Sequence, residues 1–273
     1  MSDWLLDHEP AIRLGAFLGV FALMAAWEAA APRRPHTLPR VARWPGNLGV
    51  VAVDALLLRF AVPGSAVAVA AIADARGWGV LGALELPGWI EVALAVALLD
   101  LAIWAQHVVF HRLPPLWRLH RMHHADLDLD VSSGGRFHPL EILLSIAIKF
   151  TVIVALGASA LAVLIFEVLL NASSMFNHSN VAIPQAVDRL LRLAVVTPDM
   201  HRVHHSIRRD ETDSNFGFCM PWWDRLFGTY AAAPRAGHEA MTIGLPVFRD
   251  PDELRLDRLL TQPFRRDQAE AAP

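Results

Sequence analysis

The chain has 273 residues, 54% of them hydrophobic and only 19% charged, with a mean hydropathy of +0.36. Soluble domains carry about 25% charged residues, so this composition points to a membrane protein. A formal net charge of −3 lacks the basic footprint of nucleic-acid binding, and the single cysteine, Cys219, excludes a disulfide framework and any cysteine-ligated zinc or iron–sulfur site.

The opening MSDWLLDHEPAIRLG has no basic n-region or small-residue cleavage site, so the first apolar stretch is expected to be a retained membrane segment. Stretches near the ~20 apolar residues needed to cross a bilayer fall at 11–31, 48–72 and 86–106. Region 140–176 is too long for one span, and its break at Gly157–Ser159 predicts two short spans or a re-entrant hairpin. Basic residues orient the segments: Arg33, Arg34, Arg40 and Arg43 follow the first span, and Arg112, Arg118, Arg121 and Arg136 follow the third. The N-terminal tail carries Asp3, Asp7 and Glu9 instead. Both basic segments and everything after 177 then lie on the cytoplasmic side. The expected fold is all-α: four to five spans, or three and a re-entrant hairpin, under a helical cytoplasmic cap. Residues 1–100 would form the base, 101–235 the catalytic region, and 236–273 a tail whose end, TQPFRRDQAEAAP, reads as solvated.

Histidine is the residue out of proportion. Ten of the thirteen lie between 107 and 205, as HVVFH, HRMHH, RFHP, NHSN and HRVHH. In a helix, positions i, i+3 and i+4 share a face, so each HRxHH triplet is expected to aim three imidazoles in one direction, and His107 and His111 form another such pair. Single histidines are usually surface or satisfied core residues, and His8, His36 and His238 are read so. Packing the others together costs desolvation unless each nitrogen has a partner, and a transition metal removes that cost. Leaving His138 aside, nine imidazoles exceed what one ion can use, so two metals with four or five nitrogen ligands each fit the count. No Glu-x-x-His pair of the carboxylate-bridged di-iron kind is present among these motifs.

A neutral ligand set gives value to carboxylates behind it. Spacing selects Asp100, seven residues before His107; Asn171 and Glu167, seven and eleven before His178; and Glu141, just after the His138–Pro139 pair. In the cap, Trp223, Phe227 and Tyr230 are expected to pack while Asp224 and Arg225 make salt links. Alternatively Glu211, Asp213 or Asn215 orients the second triplet; Arg202, Arg208 and Arg209 read as solvated or headgroup-facing.

The run DLAIWAQHVVFHRLPPLWRLHRMHH, then GRFHPLE, NHSN, TPDMHRVHHS, ETDSNFG and WDRLFGTY, resembles the fatty acid hydroxylase/sterol desaturase superfamily of integral-membrane, histidine-rich non-haem di-iron oxygenases, its bacterial members above all. It covers about 100–230. The resemblance implies a four-helix-type membrane base, a cytoplasmic cap holding two irons, and O2 activation against a lipid C–H bond. The family's ligands fall on His107, His111, His120, His123, His124, His178, His201, His204 and His205. His138 matches the family's HP-x-E pattern, either as a ligand or in support with Glu141. Ser174 stands where some members carry a further histidine, which leaves a water or open position, or a role for Asn171 or Asn177.

The expected chemistry is hydroxylation or desaturation of a lipid taken from the bilayer, in a bacterial inner membrane with the histidines on the cytoplasmic side. Zinc is expected to replace iron on overexpression. No CxxCH, Rossmann glycine pattern or fused redox module is visible, so electrons are expected from a separate donor, a ferredoxin or a cytochrome b5 with its reductase. Two other readings are a zinc-dependent membrane hydrolase, for which the HExxH motif is absent, and a metal- or haem-binding membrane protein without oxygenase activity.

Overall fold

A computed structural model describes residues 2–265. The described chain is helical, with two isolated bridges, Pro32 to Val181 and Ser206 to Ile243, as its only β pairing. A short α1 (Ser2–Asp7) leads into α2 (Glu9–Ala30), α3 (Arg40–Ala61), α4 (Ala66–Ala75), α5 (Gly88–Arg112) and α6 (Pro114–His124). Then come α7 (Pro139–Leu156) and α8 (Ala160–His178), followed by short cap helices: α9 (Gln185–Leu191), α10 (Pro198–His204), α11 (Arg209–Thr212), α12 (Trp222–Leu226), α13 (Gly237–Ala240) and α14 (Leu256–Thr261).

Five helical stretches are long and apolar enough to cross a bilayer: Glu9–Ala30, Arg40–Ala75, Gly88–Arg112, Pro139–Leu156 and Ala160–His178. The protein is an integral membrane protein. The second stretch begins earlier than hydropathy suggests and breaks at Val62–Ser65, where Pro63 lacks an N–H and Ser65 caps α4 by accepting from the Ala68 N–H. The long apolar region resolves into two helices of 18 and 19 residues, each about 27–28 Å long at 1.5 Å per residue. Gly157 ends α7 with φ of 64°, and Ser159 caps α8. A Cβ on Gly157 would stand 2.3 Å from the Trp78 carbonyl oxygen, so only glycine allows the loop after α4 to bond the end of α7.

These contacts set the direction of each pass. The loop after α4, the α7–α8 turn and Glu91 near the start of α5 meet at one membrane face, where Ser159 N–H donates to Glu91. The ends of α2, α5 and α8 and the starts of α3 and α7 lie at the other, with every histidine between 107 and 205. The apolar core is shared by α4, α5, α7 and α8, around Leu99, Ile153, Val163 and Phe166.

A buried polar network joins the bundle to the cap. Arg43, fully buried on α3, donates from Nε and Nη2 to Asp126 at 2.8 Å each, and to Asp130 at 2.6 Å. Asn47 adds bonds to Asp126 and Ser132, and Arg136 donates to Asn47 and to the Met122 carbonyl. Arg43, Arg121 and Arg136, counted above as orientation signals, are buried structural groups. The C-terminal segment also departs from a solvated tail. Gln262, Pro263 and Arg265 carbonyls accept from Arg118 and Arg121 on α6, and α14 packs on α3. Gly46 makes room there, since a Cβ would lie 1.9 Å from the Leu254 carbonyl oxygen. Residues 266–273 of that tail lie outside the described residues.

Candidate metal centre

Local sequence explains how the histidines are presented. Leu113–Pro114 ends α5 one residue after Arg112 and starts α6 at once, folding His107 and His111 back against His120 and His124. Thr197 caps α10 by accepting from the Met200 N–H, with Pro198 in the first turn, and this two-turn helix carries His201 and His204. His178 is the last residue of α8.

All nine of these histidines are buried and they form two groups. His107, His111, His120, His124 and His204 make one; His123, His178, His201 and His205 make the other; within each, the ligand atoms lie within 4.8 Å of one another. The groups adjoin, with the His124 and His205 rings stacked at 4.5 Å. The triplets do not act as single faces. His120 and His124 serve the first group and His123 the second, while His201 and His205 serve the second and His204 the first. On a helix, i and i+4 are about 40° apart, whereas i+3 and i+4 are about 100° apart, so each triplet straddles the boundary.

The donor chemistry fits metal cations. The Nδ1 atoms of His107 and His204 donate to the Phe216 and Ser214 carbonyls at 2.8 and 2.7 Å, His120 donates to Glu141 at 2.7 Å, and His111 to Asp213 at 3.2 Å. In the second group, His123 and His178 donate to the Arg136 and Ser174 carbonyls. A neutral imidazole protonated at Nδ1 has a bare lone pair at Nε2. Nε2 of His107 and His120 nevertheless face each other at 3.0 Å, as do those of His123 and His178. Protonation does not resolve the repulsion, because burial pushes His120 down to about 3 and holds His123, His124, His201, His204 and His205 well below the ordinary range. A metal ion among the lone pairs does.

The other predicted site residues divide. Glu141 meets the histidines, through His120. Asp100 does not reach His107; it accepts from the Cys219 and Met220 N–H groups and from Trp223 Nε1, tying α5 to the loop that carries the Phe216 carbonyl. Glu167 pairs with Lys149 at 2.5 Å and Arg13 at 3.2 Å, away from both groups. Asn171 bonds the Glu167 carbonyl of its own helix, and Asn177 the Phe218 carbonyl. His138 belongs to neither group: its Nδ1 accepts from the Leu140 N–H to cap α7, and its Nε2–H donates to the Leu260 carbonyl, so both nitrogens are spent. Ser174 contributes its backbone carbonyl to His178 rather than a ligand.

ETDSNFG does orient histidines, but through the Asp213 carboxylate and the Ser214 and Phe216 carbonyls. Asn215, in the left-handed region at φ 50°, bonds Met200 and Ala231 across the cap, and Glu211 accepts from the Arg235 N–H. Among the described residues Asp224 makes no salt link; it is buried and accepts from the Phe216 and Gly217 N–H groups, Trp104 and Thr229. Arg225 lies over the Tyr230 ring, and Phe227 stacks on Trp104 while half exposed. Arg202 is buried and paired with Asp199, not solvated.

Beside the first group lies a mostly apolar cavity of about 340 Å³ between α2, α3, α5, α7 and α8. His107 and His120 line it, with Phe17, Leu58, Ile103 and Phe137; no histidine of the second group does. A family model described as fatty acid hydroxylase matches residues 92–229, half of the chain. The chain belongs to the fatty acid hydroxylase family. The ornithine lipid hydroxylase OlsE of Rhizobium tropici is 31% identical over 151 residues, 55% of this chain and 45% of that protein. Human alkylglycerol monooxygenase is 29% identical over 147 residues, 53% of this chain and 31% of its own length. Rat cholesterol 25-hydroxylase is 25% identical over 147 residues, 54% of this chain and 48% of that enzyme. The matches thus span less than half the length of each relative. No solved structure matches the chain.

Proposed function

We propose that the protein hydroxylates a C–H bond of a lipid with O2 at two non-haem irons held by the nine histidines. The observation that carries this reading is the shared wall: His107 and His120 belong both to the five-histidine group and to an apolar cavity within the membrane bundle. His107, His111, His120, His124 and His204 would hold one ion, and His123, His178, His201 and His205 the other. When bound, the ions supply the redox chemistry that activates O2. Glu141 keeps the proton of His120 on Nδ1 and its Nε2 lone pair free, and the Phe216 and Ser214 carbonyls do the same for His107 and His204. Phe17, Ile103 and Phe137 exclude water and hold an apolar chain beside His107 and His120.

One oxygen atom enters the lipid and the other leaves as water, which requires two electrons and two protons. The electrons are assigned to a separate donor, a ferredoxin or a cytochrome b5 with its reductase. The relatives' names, two hydroxylases and a monooxygenase, favour hydroxylation over desaturation. They name three different lipids. About a quarter of the cavity wall, including Arg13, Phe17, Val51 and Leu58, lies outside the segment that matches the family, so α2 and α3 contribute to the choice of lipid. Arg33, Arg34, Arg40, Arg112 and Arg118 flank the histidine face, which supports a cytoplasmic centre in a bacterial inner membrane.

Lipid extracts of a strain lacking the gene, compared with the complemented strain, test the reading. A lipid heavier by one oxygen atom should appear only with the gene. A product lighter by two hydrogens would mean desaturation, and identical profiles would contradict both.

A further inference from the structure

The cavity wall carries one acid without a partner. Among the buried acids of the five spans, Glu9 pairs with Arg13, Glu28 with Arg40 and two backbone N–H groups, Asp100 accepts three bonds, Glu141 accepts from His120, and Glu167 holds Lys149 and Arg13. Asp54, on α3, is 7% exposed and accepts no hydrogen bond from the described residues, with its Oδ1 enclosed and unpartnered. Placing a carboxyl at such a depth costs about 2.5–3.5 kcal/mol on insertion scales, so an unmet one calls for a partner from outside the chain.

The surroundings narrow that partner. Asp54 lines the same cavity as His107, His120 and Glu141. Glu141, Ser145 and Lys149 recur every four residues, so α7 turns one polar stripe to the cavity. Lys149 pairs with Glu167, and Ser145 accepts from the Gln106 amide nitrogen at 2.7 Å. What remains without a partner on this wall is acceptors: Asp54 Oδ1, Glu141 Oε2 and Gln106 Oε1. A bare hydrocarbon would leave them unmet at about 1–3 kcal/mol each.

We propose that Asp54 binds an O–H or N–H donor of the lipid, so that the substrate is an alcohol or amine whose polar group sits near the carbon to be oxidised. This rests on the cavity being the lipid site. It places the polar part of the amphiphile, rather than the middle of an acyl chain, beside His107 and His120. Asp54 lies outside the segment that matches the family.

Binding to the purified full chain in lipid nanodiscs tests the proposal without O2 or turnover, so its failure and that of the oxygenase reading are told apart. The probes are octadecanol, octadecylamine and octadecyl methyl ether, which has the same chain and no donor, each read by the rise in melting temperature. Alcohol or amine should bind roughly tenfold tighter than the ether, the fold-change of one buried hydrogen bond. The stronger of the two identifies the donor. Asp54→Leu should erase the preference. Asp54→Asn, isosteric and a check on folding, should keep the response to the alcohol and lose any extra response to the amine. Equal responses to all three probes, no response to any, or a preference that survives Asp54→Leu would overturn the proposal.

Discussion

The two histidine groups are built from the same triplets yet differ in what surrounds them. The five-histidine group touches the apolar cavity through His107 and His120, and two of its members lean on carboxylates, Glu141 and Asp213. The four-histidine group is sealed behind it. His123 and His178 lean only on backbone carbonyls, and Arg136, whose carbonyl holds His123, is locked in the Arg43–Asp126 network. The difference gives one group access to the cavity and the other an enclosed position. Because His124 and His205 stack across the boundary, neither group can shift without moving its neighbour.

The most severe way to break this pairing is to remove one ligand from each side. His204→Ala and His178→Ala should each abolish hydroxylation and lower bound metal by about one ion per chain, measured by elemental analysis. A variant of either group that keeps both ions and full turnover would dissolve the distinction.

The support behind the sealed group comes next. Arg43→Met strands Asp126 and Asp130 in the interior and should cost about 3–5 kcal/mol of stability, read as a fall in melting temperature and a loss of expression. Glu141→Gln tests the open group more gently. It still accepts a bond from His120 but lacks the charge, and activity or metal affinity should fall about 10- to 100-fold with the fold intact. The smallest effect belongs to His138→Ala, which removes a helix cap and should cost about 1 kcal/mol while leaving metal content unchanged.

Those predictions mark where sequence reasoning stopped. The clustering of the nine histidines, the apolar character of the spans and the break at Gly157–Ser159 were legible, because each is a local pattern of residue type and spacing. The split of each triplet was not, since it depends on how α6 and α10 face each other across the chain. Asp100 illustrates the same limit. Seven residues from His107 places it on the right side of α5, but its donors come from Cys219, Met220 and Trp223, over a hundred residues away. Glu167, eleven residues before His178, sits too deep to reach the cap and meets Lys149 instead. Alternation in the run Asp126–Leu127–Asp128–Leu129–Asp130 was a signal that could have been read. Two of these acids, Asp126 and Asp130, meet the buried Arg43, while Asp128 accepts from the Thr37 and Leu38 N–H groups.

The central claim is that the nine histidines hold two irons. The protein, loaded with ferrous iron under reducing conditions so that any zinc acquired in expression is replaced, should bind two irons per chain. X-ray absorption should show light nitrogen or oxygen ligands with no sulfur, and His204→Ala should retain one iron. A single metal per chain, zinc that iron cannot displace, or a Soret band in the absorption spectrum would contradict it.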